Sequence, residues 1–233
     1  MTKSKENKLI AVSRSEKQLK ELQAKFGKQQ VEIVIGNVSD KHTQVAAIER
    51  AVKGFGQLDS VIANAGKLDP VAKLSEANTD EWKTLFDVNF FSVVDLVKLA
   101  LPHLRKSHGK LVAVLTGASE KPYKTWGAYG ASKAALNHYV LTLAVEEPDV
   151  LAISVAPGVV DTSMQSDIRE RFNDNMAPDL LQRFIGLHAN QELLPPQVPA
   201  TVYVNLALKG WDASINGNYL RYSDKELEEY HHF

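Results

Sequence analysis

At 233 residues and 44% hydrophobic content the chain is long enough for one domain, spanning 1–233, with a sizeable core. Its 27 basic side chains nearly balance 28 acidic ones, for a formal charge of −1, which gives no electrostatic basis for binding nucleic acid or an anionic membrane surface; with no cysteine, disulfides, thiolate metal sites and thiol catalysis are excluded. Met1 to Lys8 is polar and basic with no apolar run behind it, and no later run reaches the ~18 residues of a spanning helix. The expectation is a soluble, cytoplasmic protein.

Short apolar runs alternate with longer amphipathic stretches along the chain. Leu9 to Val12 reads as a buried strand, followed by a helix from about Ser15 to Phe26 with Leu19 and Leu22 on its inner face. Val31 to Ile35 is the second strand, and a helix runs from about Asp40 to Phe55. Leu58 to Ala63 is the third strand, ending in Asn64-Ala65-Gly66. One long helix is predicted from about Thr79 to Lys106, with Asp80 and Glu81 suited to its first turn. Leu111 to Leu115 is the fourth strand, a helix carries Tyr129 to about Glu147, Leu151 to Ala156 is the fifth strand, and Tyr219-Leu220 is a short last one. Continuous apolar strands alternating with helices predict an α/β fold, a doubly wound parallel sheet covered on both faces. Such sheets bind ligands just beyond the carboxyl ends of their strands.

Tyr129-Gly-Ala-Ser-Lys133 sets a phenol and an ammonium on one helix face. A free tyrosine has a pKa of about 10, and a neighbouring lysine that stabilises the phenolate pulls it toward the range a proton-transfer catalyst needs. Taken alone, the pair also fits an exposed helix face. Asn64-Ala65-Gly66 closes the third strand with a residue free to take positive φ and a small neighbour that admits close backbone approach, although a plain turn reads the same way. Pro157-Gly158-Val159-Val160-Asp161-Thr162 bends the chain away from the fifth strand and ends on a hydroxyl and an N–H able to meet a ligand amide. Asn89, mid-helix among Phe86, Val88, Phe90 and Phe91, is a poor helix former unless its amide bonds backbone or water.

In that order these motifs resemble the short-chain dehydrogenase/reductase family, with a Rossmann-like sheet, over about Leu9 to Tyr222. Phe86-Asp87-Val88-Asn89-Phe90-Phe91, Trp126-Gly127-Ala128-Tyr129 and Asn216 to Leu220 look like the fungal benzil-reductase group, relatives of sepiapterin reductase. The resemblance implies that Tyr129 protonates a carbonyl oxygen as hydride arrives from a nicotinamide. It implies that Lys133 lowers the phenol pKa and bonds the nicotinamide ribose, and that Asn89 holds a relay water. The family's catalytic serine, 13 residues before the tyrosine, is Thr116 here, whose added methyl restricts χ1 and narrows the pocket. Ser119, three residues on, is the alternative donor, with Thr116 the first candidate. Asn64, Ala65, Gly66, Pro157, Gly158, Val160 and Thr162, with Tyr129 and Lys133, are the implied cofactor contacts. Leu115 to Ser119 resembles a phosphate-binding turn, but Glu120-Lys121-Pro122-Tyr123 cannot open a helix, so it belongs to the substrate side.

The family's opening strand and glycine-rich turn are not found in these residues. Leu9 to Val12 followed by Ser13-Arg14-Ser15 matches its second strand. Arg14 then resembles the basic residue that pairs with a 2′-phosphate, which implies NADP(H), and a solvated charge is the alternative. Asn37, with Val38 beside it, stands where the family carries an aspartate toward the adenine. The missing strand would be central, between Leu9–Val12 and Leu58–Ala63, so either the two halves close onto each other or the chain is N-terminally incomplete; incompleteness is the expectation. A homo-oligomer whose neighbour supplies the strand is a further possibility.

The seven histidines show no metal-ligand spacing, and His231-His232 reads as a frayed tail. Thr162 to Pro196 reads as a mobile helical lid, apolar inside, or as surface helices; Tyr123 and Trp126 line an aromatic-accepting pocket or pack the core. The expected activity is an NADPH-dependent carbonyl reductase for a small hydrophobic ketone or diketone. The competing expectation is a catalytically impaired relative acting as a binding or regulatory module.

Overall fold

The computed structural model describes residues 7–232. The amino-terminal part is a βαβ unit of β1 (Leu9–Ser13), α1 (Glu16–Phe26) and β2 (Val31–Ile35), in which the two strands pair in parallel. Helix α2 (Lys41–Glu49) follows, capped by Asp40, whose carboxylate accepts the His42 N–H at 3.0 Å, and it runs into a π turn, Arg50–Gly54. The second sheet contains β3 (Ser60–Ala63), β4 (Lys110–Val114), β5 (Leu151–Ala156) and β6 (Tyr219–Arg221), in that order and parallel throughout. Between these strands run α3 (Thr79–Phe86), α4 (Ser92–Ser107), α5 (Gly127–Glu146), α6 (Ser163–Ser166), α7 (Pro178–Ala189) and α8 (Gln197–Lys209).

Strands β4 and β5 are buried on both faces beyond their first residues, which is why Leu111 to Val114 and, except for Ser154, Leu151 to Ala156 are apolar at consecutive rather than alternate positions. Val97 and Leu104 of α4 with Leu136 and Val140 of α5 cover one face. Val202 and Leu206 of α8, with Leu227 and Tyr230 from the carboxyl-terminal 3-10 turn, cover the other. That turn is held by Asn205 Nδ2, which donates to the carbonyls of Tyr230 (2.8 Å) and His232 (3.0 Å), and His231 Nε2 lies 2.8 Å from the Tyr222 carbonyl. The expected fraying of His231-His232 therefore does not occur. No helix among the described residues is long and apolar enough to cross a membrane.

The sheet is split between β1 and β3. Leu9 N–H donates to the Gln30 carbonyl and Gly36 N–H to the Ser13 carbonyl, so odd-numbered residues of β1 face β2; Lys110 N–H donates to the Asp59 carbonyl, so odd-numbered residues of β3 face β4. In a parallel ladder alternate residues turn both backbone groups to the same side. Ile10 and Val12 on one edge, and Ser60 and Ile62 on the other, thus turn their N–H and C=O groups into the space between, where they meet no partner among the described residues. That space is a groove of about 680 Å³, floored by Ala47, Ile48 and Leu96 and by Ala207 and Leu208. The two halves have not closed onto each other. All four edge residues are only half-buried, so water reaches groups that would otherwise each cost about 1–3 kcal/mol.

Candidate active site

Each proposed catalytic side chain lies beyond a strand of the four-stranded sheet or on a helix packed against it. Thr116 follows β4, at the head of a 3-10 turn, Gly117–Ser119. Helix α5 packs against that turn closely enough that a Cβ on Gly130 would stand 2.9 Å from the Ala118 carbonyl, so only glycine permits the approach. The i, i+3, i+4 spacing then turns Tyr129, Ser132 and Lys133 together into the buried face of α5.

Asn89 reaches the same point through a defect in a helix. The expected continuous helix from Thr79 to Lys106 is interrupted between α3 and α4 by a π turn, Asp87–Phe91, with Asn89 fully buried in it. Asn89 Oδ1 accepts from the Lys67 N–H at 2.8 Å, while Nδ2 donates to the Lys67 carbonyl at 2.9 Å and to Ser132 Oγ at 3.1 Å. Ser132 Oγ in turn donates to the Tyr129 carbonyl at 2.8 Å. Ser132 was not among the sequence-derived candidates. Its only sequence signal is a small hydroxyl residue one place before Lys133 on the buried face, which looks the same as a residue chosen for size.

Gly66 completes the cluster. A Cβ placed there would lie 3.4 Å from Asn89 Oδ1 and 3.5 Å from Lys133 Nζ, so the absent side chain leaves open the space those two atoms face. Lys133 Nζ donates to the Val114 carbonyl at 2.9 Å, and burial pulls its ammonium down to about 8. Burial pushes the Tyr129 phenol up to about 12, and its hydrogen bond with the Thr116 hydroxyl offsets part of the rise. The direction differs from the sequence expectation of a lowered phenol. Desolvation outweighs every neighbour, and the amine is engaged with a backbone carbonyl. Ser119 Oγ is likewise occupied, donating to the Thr116 carbonyl at 2.7 Å.

An apolar wall stands beside the phenol. Trp126 meets the Tyr129 ring edge-on (5.8 Å, 89°), stacks between Tyr123 (5.2 Å, 26°) and Phe184 (5.7 Å, 11°), and sends its indole N–H to Met176 Sδ at 3.1 Å. Ile168, Phe172, Met176 and Phe184 of the 162–196 segment are buried against Leu68, Leu85 and Tyr129, a packing that fits both a covering segment and surface helices on the core. Asn175 Nδ2 donating to the Val71 carbonyl (2.9 Å) and the Arg171–Asp69 contact (3.8 Å) tie the segment to the loop after β3.

The implied cofactor contacts fall into two groups. Gly66, Tyr129, Lys133 and the turn after β5 surround one end of the cluster. Gly158 adopts φ +79, where a Cβ would meet Leu194 at 2.9 Å, and Val160 bridges to Leu194. Asn64, Ala65, Pro157 and Thr162 are wholly or partly exposed around this end, and Thr162 Oγ1 makes only a 3.4 Å contact to the Val160 carbonyl. Arg14, Asn37 and Val38 lie instead at the ends of β1 and β2, across the groove. Arg14 is exposed and enters no ion pair among the described residues, Asn37 Oδ1 accepts the Ser39 N–H at 3.2 Å, and the Val38 carbonyl is taken by Gln44 at 2.7 Å. No group of His, Asp or Glu among the described residues is arranged to hold a metal.

Comparison with known proteins decides the family. The sequence model of the family described as short chain dehydrogenase matches residues 2–173. The chain belongs to the short-chain dehydrogenase/reductase family. Within it, the chain is 46% identical over 227 residues to an uncharacterised oxidoreductase of Saccharomyces cerevisiae, covering 97% of this chain and 89% of that protein. It is also 46% identical over 228 residues to the (S)-benzoin-forming benzil reductase of the same yeast, covering 94% and 87%. The crystal structure of a Saccharomyces cerevisiae short-chain dehydrogenase/reductase superposes with a TM-score of 0.95 at 46% identity, over 97% of this chain and 89% of that one. This short-chain dehydrogenase/reductase is therefore of the benzil reductase-like group, and its fold implies a nicotinamide cofactor. The residues fit that group at the nicotinamide-ribose end, where Gly66 leaves a space flanked by Lys133 Nζ and Asn89 Oδ1. At the pyrophosphate end no glycine-rich turn opening a helix stands beside the groove among the described residues.

Proposed function

We propose that the protein is a carbonyl reductase of small hydrophobic ketones or diketones that uses NADP(H) in the cytoplasm. The observation that carries this reading is the convergence of Tyr129, Thr116, Lys133 and Asn89 beside an apolar wall, with Gly66 leaving room between the last two. When bound, the dihydronicotinamide supplies the hydride; Lys133, Gly66 and the Pro157–Thr162 turn would hold its ribose and amide, and Arg14, Asn37 and Val38 its adenosine end. Thr116 and Tyr129 donate to the substrate carbonyl oxygen, and Tyr129 hands over its proton as that oxygen gains charge. A neutral phenol suits this role, because the acid must be protonated when the substrate arrives. Lys133 restores the proton, and the amide of Asn89, fixed by Lys67 and Ser132, sets Oδ1 beside the same space at Gly66 that Lys133 Nζ borders. The 162–196 segment excludes water from the apolar side.

The relatives support the substrate class: one of the 46%-identical yeast proteins is named for benzil, an aromatic diketone. Turnover of a diketone with NADPH by the full chain is the test. Replacing Tyr129 with Phe is expected to lower kcat by about 10²–10⁴, the usual contribution of general acid catalysis. Unchanged turnover in that variant would remove Tyr129 from the reaction. A second reading, a binding module without turnover, draws on the open groove and the lack of a phosphate cradle beside it. Calorimetric titration with NADPH separates the two, since saturable binding excludes the second reading and no binding to a folded chain excludes the first.

A further inference from the structure

Arg221 ends β6, is exposed, and forms no ion pair among the described residues. Asp224 Oδ2 accepts the backbone N–H of Arg221 at 2.7 Å and makes no ion pair with its guanidinium. That guanidinium does not point away from the site. Its Nη2 lies 3.6 Å from the position a Cβ would take on Gly117, and Tyr123 Oη lies 3.8 Å from the same position. Two hydrogen-bond donors thus converge over a residue with no side chain, and that residue directly follows Thr116. Tyr123 is held there by its stack on Trp126, the residue that meets the Tyr129 ring edge-on.

We propose that Arg221 and Tyr123 form an anion-recognition subsite for a carboxylate carried next to the reducible carbonyl, so that the substrates of this site include 2-oxo carboxylates with an apolar body. The inference rests on the carbonyl-reductase reading and narrows it. A guanidinium with no carboxylate in ion-pair contact among the described residues, beside a phenol hydroxyl, matches an anionic oxygen pair better than a neutral ketone, because the charged, forked donor bonds a carboxylate at two points. The body of such a substrate lies along the half-buried Tyr123, which Trp126 backs, and its carbonyl meets Thr116 and Tyr129. Gly117 is what keeps the path between the two ends open.

Binding can be read without turnover, by ligand-observed NMR on the full chain with two probes of similar size, benzoylformate and the uncharged 1-phenyl-1,2-propanedione. The expected result is that Arg221→Met weakens benzoylformate binding about ten-fold or more, leaves the dione unchanged, and that Arg221→Lys restores part of the loss. Equal binding of benzoylformate to wild type and Arg221→Met overturns the subsite. So does an equal loss of both probes, which assigns Arg221 to structure, or a wild type that binds only the dione. Failure of the reductase reading shows elsewhere, as absent NADPH-dependent turnover of either probe while Arg221-dependent binding of benzoylformate persists.

Discussion

Tyr129 and Lys133 are both almost wholly buried, and burial shifts them in opposite directions on the pH scale, with opposite effects on stability. Lys133 falls from 10.5 to about 8, so the unfolded chain holds that proton more tightly than the folded one. Its contribution is complete above 10.5 and is lost as pH falls through 8, a change of about 3 kcal/mol for the whole shift. Tyr129 rises from 10.0 to about 12, and its contribution is complete below 10 and lost as pH climbs through 12. Urea unfolding between pH 7 and pH 10 isolates the lysine. Wild type is expected to gain stability relative to Lys133→Met by about 2.5 kcal/mol across that window. A pH-independent difference would mean that the ammonium is not desolvated. In turnover, kcat/KM is expected to fall above about pH 8 as Lys133 of the free enzyme deprotonates.

Ser132 is the other residue whose importance appears only in three dimensions. Its hydroxyl accepts from Asn89 and donates to the Tyr129 carbonyl, joining two members of the site that are 40 residues apart in sequence. Ser132→Ala leaves the Asn89 amide short of one acceptor in a dry environment. The expected cost is about 1–3 kcal/mol in urea unfolding. Ser132→Thr, which keeps the hydroxyl, is expected to lose less, and equal losses for the two would place the cost in packing.

At the scale of elements, the π turn and the covering segment decide the shape of the site. A regular helix through Asp87–Phe91 would carry Asn89 around the helix axis and away from Lys67 and Ser132. The amphipathic pattern from Thr79 to Lys106 was legible in the sequence, but a π turn adds one residue to one turn, and apolar periodicity does not resolve so small a change. The 162–196 segment was legible through Ile168, Phe172, Met176 and Phe184, all of which are buried. Its anchor is Trp126, whose faces hold Tyr123 and Phe184 and whose N–H holds Met176. Trp126→Ala is expected to destabilise the protein by about 3–5 kcal/mol, the usual range for deleting a buried aromatic. Limited trypsin digestion should then cut first at Arg169, Arg171 or Arg183, whereas an unchanged cleavage pattern would mean that the segment is held by other contacts.

For the whole molecule the decisive feature is the break in the sheet. Strands β1 and β2 are joined to the remainder by helices and loops, and none of their ladder bonds reach β3. Ile10, Val12, Ser60 and Ile62 turn their backbone groups into the groove, while Leu9, Ala11, Val61 and Ala63 turn theirs into a ladder. Amide hydrogen exchange is expected to show that alternation, with Ile10 and Val12 exchanging faster than Ala11, and Ile62 faster than Val61. Uniform protection along β1 and β3 would show the groove edges to be paired in solution.

The sequence by itself determined the alternation of strands and helices, the family, and the residue types of the site, because each is written in local periodicity or in short ordered motifs: Tyr129 and Lys133 one turn apart, Asn64-Ala65-Gly66 beyond a strand, Thr116 in the serine's place. It also pointed to the place between Leu9–Val12 and Leu58–Ala63 where the sheet of the described residues is interrupted, though not how the chain would respond. Tertiary structure alone decided that the two halves stay apart around a wetted groove, that Asn89 reaches Ser132 through a π turn, and that the phenol rises in pKa. Those outcomes depend on which groups lose water and which distant backbone atoms become neighbours, and desolvation is a property of the assembled environment that no stretch of residues carries on its own.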